Sequence, residues 1–267
     1  MRARRTLIET LGRMIEHMAA VPADIAERWG RYQSRYESFA ASPTNKAKRR
    51  VETYQNDLES AYTDWADGLA TNLAAEDDEK KRDAILAAAL LILLALLKRQ
   101  GRDSLPDAID IALNGGESTD EIASLLSDAI DENDGYLTDS LIPDIEEKVK
   151  AGLKDPDILA ALLQGTGAAA IGGLLATVTA RVGNYSGEWW DLYNKAMGTI
   201  ADMNGAAVTW YLDPRAKHCE DCPQWGSTDG KTYPSYAAML KETGDMSPAN
   251  GVQCGANCRC FLEFSNP

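Results

Sequence analysis

All five cysteines of this 267-residue chain fall between Cys219 and Cys260, and the first 218 residues contain none. No other feature limits the fold as much, because a local and odd set of thiols needs a local explanation. A secreted disulfide scaffold spreads an even number of cysteines through a short chain. Here the order is His218-Cys219-x2-Cys222, then 31 residues, then Cys254-x3-Cys258-x-Cys260. Close-spaced ligands from two chain segments are what a closed, tetrahedral zinc site requires. The pattern therefore predicts reduced thiols around one structural zinc ion per chain.

Cys219 and Cys222 supply one pair of ligands, and the second segment offers three thiols for two places. Cys254 with Cys258 ranks first, since a gap of three lets two sulfurs approach one ion. Cys258 with Cys260 ranks second, because alternate residues of a strand point to opposite faces. His218 is a further alternate, as a direct ligand or as a neighbour of the site. A disulfide module that leaves one thiol over stays open. So does a redox-active Cys-x2-Cys, although no βαβ pattern surrounds it. A staple has a physical reason here. A segment of about 60 residues has a thin core, and metal-binding free energy becomes folding free energy in such modules.

Catalysis is not expected. The chain has two histidines, no His-Glu-x2-His, no Gly-x4-Gly-Lys and no Gly-x-Ser-x-Gly. A catalytic zinc keeps an open position beside a general base, and with two histidines most hydrolase constellations cannot be assembled, which leaves a metalloenzyme as the last of the readings.

The formal charge of −14 excludes a uniform coat for nucleic acid, whose phosphates are neutralised by Lys and Arg. It is unevenly spread. Residues 1–50 hold 11 bases and 5 acids, whereas 103–147 hold 14 acids and no base. DNA contact is thus possible only through residues 1–50. The acid block reads as a solvated helical surface; a docking face for a basic partner and a surface that repels DNA stay open. Residues 206–267 carry five bases against seven acids, a poor footprint for nucleic acid. At the N-terminus, Arg2, Arg4 and Arg5 precede apolar residues that charges interrupt, so no signal peptide is expected.

Helical spacing dominates the first 180 residues. Leu7, Ile8, Leu11, Met14, Ile15 and Met18 predict an amphipathic helix over 3–20, and Trp29, Tyr32, Tyr36 and Phe39 a second. Val51, Tyr54, Leu58, Ala61 and Trp65 mark a third, forming an antiparallel hairpin with the second. The uncharged run 84–97 is shorter than the ~20 residues of a membrane span and reads as a buried core helix. The uncharged run 158–180 is long enough to span, but it reads as a second buried helix that Gly165 and Gly167 break. Membrane contact is possible through these runs but not favoured. Asn114-Gly115-Gly116 and Asp134-Gly135 are expected to end short helices. Asp131 to Gly135 fails the calcium-loop template and reads as a capping turn.

The character changes near Arg181. Tyr185, Trp189, Trp190, Tyr193 and Met197 predict one more amphipathic helix, stopped by Asn204-Gly205. Residues 207–212 are rich in β formers and predict a strand, Asp229-Gly230 signals a hairpin, and 260–264 predict a closing strand.

This region resembles a known family. Tyr211-Leu212-Asp213-Pro214-Arg215-Ala216-Lys217-His218-Cys219-Glu220-Asp221-Cys222-Pro223, followed by Gly251-Val252-Gln253-Cys254-Gly255-Ala256-Asn257-Cys258-Arg259-Cys260, is similar to the signature of tailed-phage minor head proteins, the Mu F-like head-morphogenesis family. The helix around Arg181 to Tyr185, with Leu192-Tyr193-Asn194, is also similar. The likeness covers roughly residues 180–264. Many members carry a His just before Cys-Arg-Cys, and here Cys254 stands near that place.

The resemblance implies a non-enzymatic structural protein of the virion. It would lie inside the head, associated with the portal and in contact with scaffold or major capsid protein. It would act in head morphogenesis, genome packaging or ejection, in multiple copies, after assembly in the host cytoplasm. An ejection protein released with the genome, touching membrane or DNA, is the alternative. The expected fold is mainly α: a helical body over 1–180 and a Mu F-like region over 181–267, within which 206–267 form a small zinc-binding α+β module.

Overall fold

The computed structural model describes residues 43–212, 218–248, 250–253, 258 and 260–265. Contacts divide the chain into two units, Met1–Asn45 and Lys46–Pro267, and nearly all of the described residues belong to the second. The helices expected over 3–20 and around Trp29 to Phe39 lie outside the described residues. Among the described residues the protein is mainly helical, with one small three-stranded sheet.

Helix α1 (Pro43–Ala74) and helix α2 (Glu79–Leu113) are joined by four residues. They run antiparallel: Arg50 pairs with Asp107, Gln100 donates to the Asp57 carbonyl and the Trp65 indole to the Ala89 carbonyl. Tyr54, Leu58 and Tyr62 are fully buried, the first two from the predicted stripe and the third one turn further on. Asp78 caps α2 by accepting from the Lys81 N–H, and Asn114 ends it in the left-handed conformation at φ 48°.

Helix α3 (Asp120–Tyr136) starts at the Thr119 cap and does not stop at Asp134-Gly135. It continues through a π turn (Leu137–Leu141) into α4 (Ile142–Gly152). The expected capping turn is overturned for two reasons. The Asp134 carboxylate pairs with Arg102 at 2.5 Å rather than with its own backbone. Leu137 and Leu141 beyond it are fully buried, so packing carries the helix through. The 158–180 run does break, at Gly165 with φ 75°, into α5 (Pro156–Leu163) and α6 (Gly167–Ala176). Burial was the wrong expectation for α5: no residue of it is buried, and Leu163 is 91% exposed.

After α7 (Thr179–Gly183) and a 3₁₀ turn (Asn184–Ser186), helix α8 (Gly187–Met203) runs through the middle of the unit. It buries Trp189, Trp190 and Tyr193, and the Trp189 indole donates to the Ser104 carbonyl at 2.9 Å. It also reaches the C-terminal elements. The Asp202 carboxylate accepts from the Tyr236 and Ala237 N–H groups, capping α10 (Tyr236–Thr243), and the Asn194 amide donates to the Pro248 carbonyl.

The sheet has the order β2-β1-β3, antiparallel throughout, from β1 (Val208–Tyr211), β2 (Lys231–Tyr233) and β3 (Phe261–Phe264). Val208 and Trp210 of the central strand are fully buried while Thr209 and Tyr211 are half-exposed, the alternation a one-sided sheet requires. Asp229-Gly230 leads into β2, whose partner is β1 across the intervening loop. That segment is therefore a turn into a strand and not the tip of a two-strand hairpin. Buried apolar residues form two clusters, one from Ala47 to Ala196 and a smaller one from Val208 to Leu262.

Candidate metal centre

Sheet topology explains why distant cysteines meet. Tyr211, the last residue of β1, pairs with Phe261, the first residue of β3. Antiparallel pairing thus brings the chain leaving β1 and the chain entering β3 to one end of the sheet. His218, Cys219 and Cys222 are on the first, and Cys258 and Cys260 on the second. Cys222 opens a one-turn helix, α9 (Cys222–Trp225), with Pro223 behind it, and the Gly226 N–H closes that turn on the Cys222 carbonyl at 2.9 Å.

The Sγ atoms of Cys222, Cys258 and Cys260 all lie within 4.8 Å of one another. Cys222 Sγ is 3.8 Å from Cys258 Sγ and 3.5 Å from Cys219 Sγ. On the far side, His218 Nδ1 is 3.5 Å from Cys260 Sγ. Four sulfurs, each ~2.3 Å from a tetrahedral ion, stand about 3.8 Å apart, so these separations suit a thiolate-bound metal. No disulfide links Cys219, Cys222, Cys258 or Cys260. Three close cysteines could therefore hold a metal ion, with Cys219 and His218 adjacent.

The electrostatics point the same way. The neighbouring thiols of Cys258 and Cys260, followed by burial, push the Cys222 thiol far above its usual range. Ionising all three sulfurs at this spacing needs a cation among them. Cys222 and Cys260 are fully buried in the smaller cluster, and Cys219 and Cys258 pack against it half-exposed.

Around the thiols, two backbone donors clamp the segments together. The Gln253 N–H donates to the Asp221 carboxylate at 2.6 Å, and the Glu220 N–H reaches the Gln253 side-chain oxygen at 3.4 Å. Nothing in the cysteine spacing announces this clamp; an acid immediately before Cys222 is its only trace in the sequence. Behind the site, Gly226 lets Trp210 approach closely, since a Cβ there would meet the indole Cδ1 at 2.5 Å. The Tyr233 hydroxyl donates to the Trp225 carbonyl at 2.6 Å.

Of the residues the sequence puts forward, the structure brings Cys219, Cys222, Cys258, Cys260 and His218 to one place, and Cys254 lies outside the described residues. Cys258 and Cys260 meet the same partner because both precede β3. The alternation of a strand, which would send their side chains to opposite faces, does not begin until Phe261.

A second group of perturbed residues lies on α8, away from the thiols. A cavity of about 120 Å³ is lined by Asp128, Glu132, Glu188, Asp191 and Lys195, among others. Burial, then Asp191 and Glu132, raises the Glu188 carboxyl above its usual range. Burial raises Asp191 as well, against the opposing effect of Lys195, whose Nζ is 2.8 Å away. Among the described residues these carboxylates form no trio of metal-like spacing; only the thiols do. Compared with known proteins, the chain matches no family model, no curated protein and no solved structure.

Proposed function

We propose that residues 206–267 close around one structural zinc ion, held by Cys222, Cys258 and Cys260 with a fourth ligand from Cys219, Cys254 or His218. The observation that carries this reading is the convergence of the three thiols at the end of the sheet where β1 and β3 pair. Thiolates are soft ligands, and a tetrahedral all-sulfur or sulfur-rich set selects zinc over the hard cations that prefer carboxylates. Such a site is closed and has no room for substrate, so its role is structural. Metal analysis with thiol counting tests it. About one zinc per chain with all thiols reduced is the expected result, and no metal together with a disulfide overturns it.

We further propose that the chain is a non-enzymatic minor head protein of a tailed phage, associated with the portal inside the capsid and serving head morphogenesis or genome packaging and ejection. What supports this is the order of the motif. A Tyr-bearing strand leads to Asp213, to Cys219-x2-Cys222 and at last to Cys258-Arg259-Cys260, in a chain that is mainly helical among its described residues. A helical body suits packing against the portal, and an acidic surface over 103–147 lets it lie beside packed DNA without binding it. Mass spectrometry of purified particles tests this part separately. The protein is expected among the virion components at low copy, and its absence from intact heads overturns the reading whatever the metal content.

A further inference from the structure

Helix α2 uses its apolar run on one side and leaves it bare on the other. Leu86, Leu90, Leu93 and Leu97 are buried. On the opposite side Ala84, Ala87, Ala88, Leu91, Ile92 and Ala95 are exposed, with Leu91 68% and Ile92 64% accessible. Their spacing, i, i+3, i+4, i+7, i+8, i+11, makes a continuous row ~16 Å long. Among the described residues α2 is the one helix long and apolar enough to cross a membrane, yet only 28% of its apolar window is buried.

The same face turns cationic at both ends. Exposed Lys80 and Lys81 precede the row, and exposed Arg99 and Arg102 follow it. Ion pairs of Lys81 with Glu76, Arg99 with Asp103 and Arg102 with Asp134 balance part of this charge. Pairs on the open surface, such as Arg99 with Asp103, are weak and exchange readily for a better partner, whereas Arg102 is held by the half-buried Asp134.

We propose that this face docks an amphipathic helix of a partner protein, apolar over about three turns and carrying carboxylates at both ends. The charge pattern excludes the simplest alternative. A second copy laid antiparallel would set Lys80 and Lys81 against Lys98 and Arg99, and a parallel copy would set each cation against itself. The relief of the row argues against a lipid surface. Helices that lie in membranes present Trp, Phe and Leu, whereas four of these six residues are alanine. Leu91 and Ile92 are knobs between alanine holes, which is the relief that helix-on-helix packing uses. The partner's end carboxylates would be on the order of 25 Å apart, the distance between the two cationic ends along α2. The proposal is independent of the metal centre.

The test is binding of a synthetic probe to the full chain, read by fluorescence anisotropy. The probe is a helical peptide with leucine and alanine over three turns and glutamates at both ends. Its control has lysines in place of the glutamates. The glutamate peptide is expected to bind at least tenfold tighter, by a preference that shrinks as salt screens the ends. The double variant Leu91→Glu, Ile92→Glu is expected to weaken it on the order of a hundredfold. Because both side chains are exposed, that variant keeps its helical circular dichroism and melting temperature. Equal affinity for the two peptides, no binding of either, or binding that survives the double variant overturns the proposal. So does a wild-type dimer that the same variant dissociates, which assigns the face to a second copy. Flotation of the wild-type chain on anionic vesicles, lost in the variant, would assign it to lipid instead.

Discussion

The two hydrophobic clusters differ in kind as well as in size. Among the described residues, the helical one gathers 33 buried apolar residues, from Ala47 in α1 to Ala196 in α8. The one beneath the sheet gathers 10, and two of these are the thiols Cys222 and Cys260. A core of the first kind holds by burial alone, at about 25 cal/mol per Å² of apolar surface. A core of the second kind, on the proposed reading, would contain its own staple, so the residues that fold it are the residues that would bind metal. The same burial therefore means different things: a buried leucine in α2 contributes area, and a buried cysteine next to β3 would contribute a ligand.

Metal removal tests this contrast most severely. Apparent zinc affinities of thiol-rich modules correspond to about 10–16 kcal/mol, a large share of what burying ten side chains contributes, at about 1.5–3 kcal/mol each before chain entropy is subtracted. A chelator, or Cys222→Ser, is expected to abolish the near-ultraviolet signal of Trp210 and Trp225 while most far-ultraviolet helix signal remains. Simultaneous loss of both signals would show that the two clusters fold as one, and would break the comparison at its root.

The next effect belongs to the helical cluster. Leu93 is fully buried and Leu91, two residues earlier on the same helix, is 68% exposed. Leu93→Ala is expected to cost about 2–5 kcal/mol through lost area and a residual cavity. Leu91→Ala should stay within ~0.5 kcal/mol. Urea titrations of the two variants measure both. Equal effects would mean that the outer face of α2 is covered in solution.

Much of this division is legible in the sequence, and the failures have identifiable causes. Strand β1 is visible because Val208, Thr209, Trp210 and Tyr211 are all β-forming residues, and their alternating burial appears only in the structure. Glycine signals work where the backbone needs them: Gly165 and Gly205 both have positive φ. At Gly135 the signal fails because tertiary packing of Leu137 and Leu141 outweighs a local preference of ~1 kcal/mol. The run 84–97 misleads in a different way. It is apolar on all sides, so periodicity cannot reveal that only one side is buried. The thiols are readable as a set, while the pair ranked first, Cys254 with Cys258, lies partly outside the described residues. Ranking Cys258 with Cys260 second assumes a strand at residues that precede it, and only the register of Tyr211 with Phe261 shows where the strand begins.

A smaller effect lies where the two clusters touch. Gly198 on α8 faces the Tyr236 ring at the start of α10, and a Cβ added there would run into the ring carbons. Tyr236 is 6% exposed, so the ring has little room to retreat. Gly198→Ala is expected to cost about 1–3 kcal/mol, the usual penalty for overpacking. Its signature should be selective. Tryptophan fluorescence should report a lower midpoint for the sheet region than circular dichroism reports for the helices, because the substitution loosens the contact between them. A single shared midpoint, lowered by the same amount for both probes, would instead show rigid coupling.

The smallest expected effect comes from a group that works against the larger cluster. Burial raises the Glu188 carboxyl, and the nearby acids Asp191 and Glu132 raise it further. An acid whose folded-state pKa lies above its unfolded value binds its proton more tightly in the folded state. Below the ordinary carboxylate range it is protonated in both states and has no effect on stability. As pH rises past that range the unfolded chain ionises first, and stability falls until the folded-state group has ionised too. Near neutral pH the ionised Glu188 is therefore a net burden. Glu188→Gln removes the charge and keeps the shape, so the melting temperature near neutrality should rise by a few degrees, ~2–4 °C for a domain of this size. The gain should vanish in acid. Because the carboxyl lines the cavity on α8 beside Asp191 and Lys195, the helical probe should report the shift, and the sheet should follow only as far as Gly198 and Tyr236 transmit it. A gain that persists in acid would mean that the glutamine stabilises by packing and not by removing charge.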